Sequence, residues 1–104
     1  MVVRHVKYTL KSGKADEYFR LQKEYAARAA DMDGVGPTNL FVDPNNPNTI
    51  FAYLEFENEE AAVAMQESAL MKEYGAKLRP LIERWDLYKQ YTSCDEKTLQ
   101  PLFG

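Results

Sequence analysis

The order in which hydropathy changes its period along this chain leaves few folds open. Val2 to Leu10 alternates at every second residue, the period of a strand. Val2, Arg4, Val6, Tyr8 and Leu10 share one face, and Val3, His5, Lys7 and Thr9 share the other. Ser12-Gly13 breaks the run. From about Lys14 to Ala30 the period becomes helical: Ala15, Tyr18, Phe19, Gln22, Tyr25, Ala26 and Ala29 recur at three- and four-residue steps. Asp33-Gly34 closes that helix, with Gly34 suited to a left-handed cap. A second strand is expected over Thr38 to Val42, entered through Gly36-Pro37. A third is expected over Thr49 to Phe56. Between them Asp43-Pro44-Asn45-Asn46-Pro47-Asn48 is turn chemistry: proline presets φ, and Asn and Asp bond back to their own backbone. So short a connection makes the pair an antiparallel hairpin.

Asn58 is a good N-cap, and Glu59 and Glu60 complement the positive end of the helix that follows. That helix is expected over Ala61 to Met71. A helical pattern resumes over Lys72 to Ile82 with Pro80 late in it. The fourth strand is expected over Arg84 to Tyr91, with Trp85, Leu87 and Tyr91 alternating against Asp86, Tyr88 and Gln90. The order is β-α-β-β-α-β. Right-handed crossovers turn it into a ferredoxin-like α+β fold: a four-stranded antiparallel sheet with the helices on one face. The other face carries Val3, His5, Phe41, Phe51 and Tyr53. So much exposed aromatic surface is unusual on a monomer, and a second copy packed sheet to sheet would bury it. A homodimer is therefore expected.

The 104 residues suffice for one domain, read as 1–92 with a tail over 93–104. Leu99, Leu102 and Phe103 make that tail apolar enough to dock on a partner subunit or on a pocket mouth. A net charge of −3 with scattered basic residues argues against nucleic acid as a partner. No apolar run is long enough to span a bilayer, and Met1 to His5 lacks a signal-peptide core, so a cytoplasmic protein is expected. The single cysteine, Cys94, cannot form an intrachain disulfide, and without a nearby histidine it reads as inert. One histidine, one cysteine and scattered carboxylates lack the spacing of a metal site. No glycine-rich phosphate motif and no nucleophile elbow is present.

The segments Lys11-Ser12-Gly13-Lys14-Ala15-Asp16-Glu17-Tyr18-Phe19, Asp33-Gly34, Leu40-Phe41-Val42-Asp43 and Leu54-Glu55-Phe56-Glu57-Asn58-Glu59-Glu60-Ala61 resemble the antibiotic biosynthesis monooxygenase superfamily of dimeric α+β barrels. The likeness covers about Val2 to Tyr91. Members include cofactor-free quinol-type monooxygenases, haem-degrading enzymes and isomerases of sugar-derived signals. This chain departs from their pattern. Phe56 stands where a Trp usually closes the third strand, Met65 and Leu70 stand where histidines are common, and Val6 replaces the Asn of the haem-degrading members. Haem degradation is therefore not expected.

The residues leave tyrosine as the main carrier of chemistry. Of the seven, Tyr8 points from the first strand toward the helices, Tyr18 or Tyr25 points back, and Tyr74 descends from the second helical region. Phenols converging in an apolar gap can hold an aromatic hydroxyl or carbonyl, or can serve as core packing with one polar end. We assign Tyr8, Tyr25 and Tyr74 to catalysis, and Arg4, Thr38, Phe56, Met65 and Trp85 to substrate binding. Arg4 either steadies an anion or is solvated at a strand end. Met65 and Met71 are core filler or an adaptable pocket wall. His5 is either an acid/base group or a polar residue inside the dimer. The resemblance implies a cofactor-independent monooxygenase acting on a small phenolic or quinol compound, with no cofactor and no metal. An isomerase of a small carbonyl metabolite and a non-catalytic small-molecule-binding protein of the same fold are the alternatives.

Overall fold

The protein is described by a computed structural model over residues 1–93. The tail expectations for Leu99, Leu102 and Phe103, and that for Cys94, lie outside the described residues. The elements run β1 (Val2–Leu10), α1 (Ala15–Ala29), β2 (Val35–Asp43), β3 (Asn46–Phe56), α2 (Glu59–Gln66), α3 (Ala69–Leu78), a 3₁₀ turn (Arg79–Leu81) and β4 (Ile82–Thr92). The four strands form one antiparallel sheet in the order β2-β3-β1-β4. This is the ferredoxin-like arrangement expected from the period changes.

The central strand β1 is the most constrained. Val2, Val6, Tyr8 and Leu10 are buried under the helices, as the alternation predicts. On its other side His5 pairs with Tyr53 and Lys7 with Phe51, and Phe41 pairs with Phe51 in turn. Directly opposite residues share a face, so these side chains form the outer layer. The His5 ring there lies 5.4, 5.0 and 5.2 Å from the rings of Phe51, Tyr53 and Tyr91. Phe41 and Tyr91 are exposed.

The structure corrects four local expectations. The β2–β3 turn is tighter than its composition suggests, because both strands extend to leave only Pro44-Asn45 between them. The Asp43 carboxylate accepts from the Asn45 backbone N–H at 2.8 Å and stabilises that turn. On α1, Leu21 joins Tyr18, Tyr25 and Ala29 in the core. The second helical region breaks at Ser68 rather than after Met71. The Ser68 hydroxyl accepts from the Met71 backbone N–H at 3.1 Å and starts a new helix there. Ile82 then already belongs to β4.

The fourth correction concerns β4. Tyr8 pairs with Trp85, but Lys7 pairs with Leu87, so Asp86 is an extra residue in the strand. Such a bulge places two consecutive side chains on one face and reverses the alternation beyond it. Asp86 accepts from the Thr9 hydroxyl at 2.8 Å and from Arg84 Nε at 2.8 Å, which fixes the bulge in place. Arg84 first, and the Thr9 hydroxyl second, hold the Asp86 carboxyl below its usual range. Trp85 therefore faces the helices with Tyr88 and Gln90, while Leu87 and Tyr91 face the outer layer. That is the reverse of simple alternation through Trp85, Leu87 and Tyr91. Among the described residues, no helix is long and apolar enough to cross a membrane.

Candidate active site

The sheet and helices do not close completely on one another. They enclose a cavity of about 590 Å³, within the size range of small-molecule sites. Its floor is the inner sheet face: Arg4, Val6 and Tyr8 of β1, Ala52, Leu54 and Phe56 of β3, and Thr38 of β2. Tyr18, Gln22 and Tyr25 of α1 form part of the roof, because steps of four and three residues put them on one helix face. Met65 of α2 and Met71 of α3 complete it. The exposed residues Trp85, Tyr88 and Gln90 form the wall along β4, a sheet edge.

Of the residues singled out from sequence, Arg4, Tyr8, Tyr25, Thr38, Phe56, Met65 and Trp85 line this cavity. Tyr74 does not. Its ring lies 5.7 Å from that of Tyr25, with Arg28 and Lys77 over its face at 5.5 and 5.0 Å. The cause is the helix start at Ser68. In that phase Met71, Gly75 and Leu78 reach the cavity, and Tyr74 turns toward α1. His5 belongs to the outer layer, which removes it as an acid or base for this site.

The cavity has two polar ends on an apolar floor. At one end the hydroxyls of Tyr8 and Tyr18 are hydrogen-bonded to each other. Gln22 Nε2 donates to the Tyr18 oxygen at 2.8 Å. Tyr18 is fully buried and Tyr8 nearly so. The indole of Trp85 packs on Tyr8, with centroids 5.2 Å apart. At the other end stands Arg4, half-buried. Its Nε donates to Gln90 Oε1 at 3.0 Å. Its guanidinium carbon lies 5.5 Å from the centroid of Phe56 and 5.9 Å from that of Tyr88, both within cation–π range. Four residues of strand separate Arg4 from Tyr8, about 13 Å at the usual rise.

The chemistry of the lining is one-sided. Burial pushes the Tyr18 phenol well above its ordinary range, against a smaller downward pull from Gln22. Burial raises Tyr25 as well. Both phenols are therefore O–H groups at neutral pH and poorly suited to remove a proton. Among the described residues, the lining contains neither carboxylate nor imidazole.

Sequence reasoning passed over Gln22, Tyr88 and Gln90 as site residues. An amide on an otherwise aromatic and alanine-rich helix face was a usable signal for Gln22. Tyr88 and Gln90 carried no such signal, because the bulge at Asp86 decides which way they face.

The family model for antibiotic biosynthesis monooxygenase matches residues 1–77. No curated protein matches. Solved structures agree with the fold. A variant of SnoaB, a cofactor-independent oxygenase from Streptomyces nogalater, superposes with a TM-score of 0.80 at 17% identity, covering 90% of this chain and 93% of that one. A conserved protein from Methanosarcina mazei Go1 gives 0.82 at 17% identity, with 89% and 92% covered. A Chloroflexus aurantiacus J-10-fl protein classed with the antibiotic biosynthesis monooxygenases gives 0.78 at 20% identity, with 90% and 93% covered. At such identities the likeness is one of fold.

Proposed function

Because the chain belongs to the antibiotic biosynthesis monooxygenase family, we propose that it is a cofactor-independent monooxygenase acting on a small phenolic or quinol compound held between sheet and helices. The observation that carries this reading is the hydrogen-bonded chain from half-buried Gln22 through the buried phenols of Tyr18 and Tyr8, at one end of a cavity with an apolar floor. An aromatic substrate fits against Val6, Ala52 and Leu54, with Met65 and Met71 above it. One of its oxygens accepts from the Tyr8–Tyr18 pair. As its anion the substrate is rich enough in electrons to react with oxygen directly. The protein's part is to orient it, to exclude water and to donate hydrogen bonds where negative charge collects.

The isomerase alternative needs a group that moves a proton between carbons. The absence of carboxylate and imidazole from the described lining argues against it. A binding protein that had lost its chemistry would be expected to fill its pocket with its own side chains. The open cavity with two polar ends counts against that. We also propose that the outer sheet face, centred on His5, is where a second copy packs; its aromatic surface supports this. Oxygen uptake by the purified protein with a panel of hydroquinones and polyphenols tests the oxygenase reading. No uptake with any of them would remove its main support.

A further inference from the structure

We propose that this cavity takes its ligand as a preformed anion, and that Arg4 is the residue that selects the ionised form. The inference rests on the reading of the cavity as the substrate site, and it narrows the substrate to planar compounds whose own hydroxyl is acidic.

Arg4 is a half-buried cation. A half-buried guanidinium is costly to desolvate unless something compensates it. Among the described residues no carboxylate pairs with Arg4; the ion pairs there are Arg20–Glu24, Arg28–Glu73 and Arg84–Asp86. Arg4 is instead held in orientation, by Gln90 at its Nε and by the rings of Phe56 and Tyr88. A single bond at Nε leaves the planar fork of terminal N–H groups to meet an anionic oxygen.

The charge of the wall also favours an anion. Acidic residues outnumber basic ones in the chain, 16 to 13. The cavity inverts that balance, with two guanidiniums, Arg4 and Arg79, and no carboxylate among its described lining. The second is exposed at the rim, where its Nη2 would stand in ordinary contact, 3.7 Å, with a Cβ at Gly75. A cleft lined by one sign of charge raises the local concentration of the opposite one.

With neither carboxylate nor imidazole on it, the described lining has no group to ionise a weakly acidic ligand. The proton must pass to water before the ligand is held. The ligand therefore carries its anionic oxygen at the Arg4 end and a carbonyl or hydroxyl at the Tyr8–Tyr18 end.

The test uses lawsone, a hydroxynaphthoquinone ionised at neutral pH, and its O-methyl ether, which keeps the rings and cannot ionise. Binding to the full-length protein is measured by calorimetry and by quenching of Trp85, the only tryptophan, which stands in the cavity wall. Lawsone should bind at least about tenfold more tightly than the ether, the range expected for hydrogen bonds to a charged group. Arg4→Gln should abolish the preference and leave the ether within about twofold of its wild-type affinity. Arg4→Lys should keep part of it. Equal affinity of the wild type for the two compounds, binding of neither, or a preference that survives Arg4→Gln overturns the proposal. Should Arg4→Gln not fold, Arg4→Lys decides the role of Arg4, and an undiminished preference there overturns it. The two readings fail separately. A preference for lawsone without oxygen uptake in the panel keeps anion selection and sinks the oxygenase. Oxygen uptake without the preference does the reverse.

Discussion

Removing the hydroxyl of Tyr18 gives the sharpest test of the site's construction. Tyr18→Phe keeps the buried ring and its edge contacts with Tyr8 and Phe19, at 5.7 and 5.4 Å. It takes away the partner of the Tyr8 hydroxyl and the acceptor of Gln22. Gln22 is half-buried and can turn toward water. Tyr8 is 3% exposed, so its hydroxyl is left with little to bond. A buried polar group stripped of its partner costs about 1–3 kcal/mol. For a domain of this size each kcal/mol lowers Tm by about 4–8 °C. Tyr8→Phe should cost a similar amount for the same reason. The double variant should cost clearly less than the sum, because the second substitution removes a hydroxyl already deprived of its partner. Chemical denaturation of the four proteins at one fixed concentration closes the cycle, and a coupling of at least about 0.5 kcal/mol is expected. Strict additivity would mean that the two phenols are not bonded to each other, and the polar end of the cavity would lose its basis.

Gly34→Ala should destabilise far more than Gly13→Ala. Both positions have positive φ, +74° and +77°, but a Cβ at Gly34 would lie 2.7 Å from that of Ala61, whereas at Gly13 nothing is near. Roughly 1–2 kcal/mol is expected for the left-handed backbone at either site, and roughly 1–3 kcal/mol more at Gly34 for the overlap. Equal losses in a denaturant titration would contradict that packing. Above about pH 10 the protein should lose stability as pH rises. Burial holds Tyr18 and Tyr25 protonated in the folded state, so the unfolded chain releases those protons first and gains the advantage. A melting temperature that stayed flat while exposed tyrosines ionised would count against both burials. On the outer face, Tyr53→Glu should shift the protein toward monomer in sedimentation, since it sets a charge beside His5 in the proposed interface. An unchanged sedimentation coefficient would place self-association elsewhere.

The order of the elements and the buried face of β1 were legible in the residues themselves. Period 2 over Val2 to Leu10, period 3.6 over α1 and a proline-asparagine turn allow little else, because each pattern exposes one apolar face that must be covered. The same patterns placed Arg4, Tyr8, Tyr25 and Phe56 beneath or among the helices, and all four line the cavity. Tyr74 and the far half of β4 were decided otherwise. Ser68 caps a helix three residues before the expected break, and that shift in phase turns Tyr74 from the cavity to α1. Asp86 enters β4 as an extra residue, held there by Thr9 and Arg84. Periodicity is a property of one segment, whereas register is set between two. Which side of the sheet Tyr88 and Gln90 occupy, and so what holds Arg4 at the cavity, exists only once β4 is laid against β1.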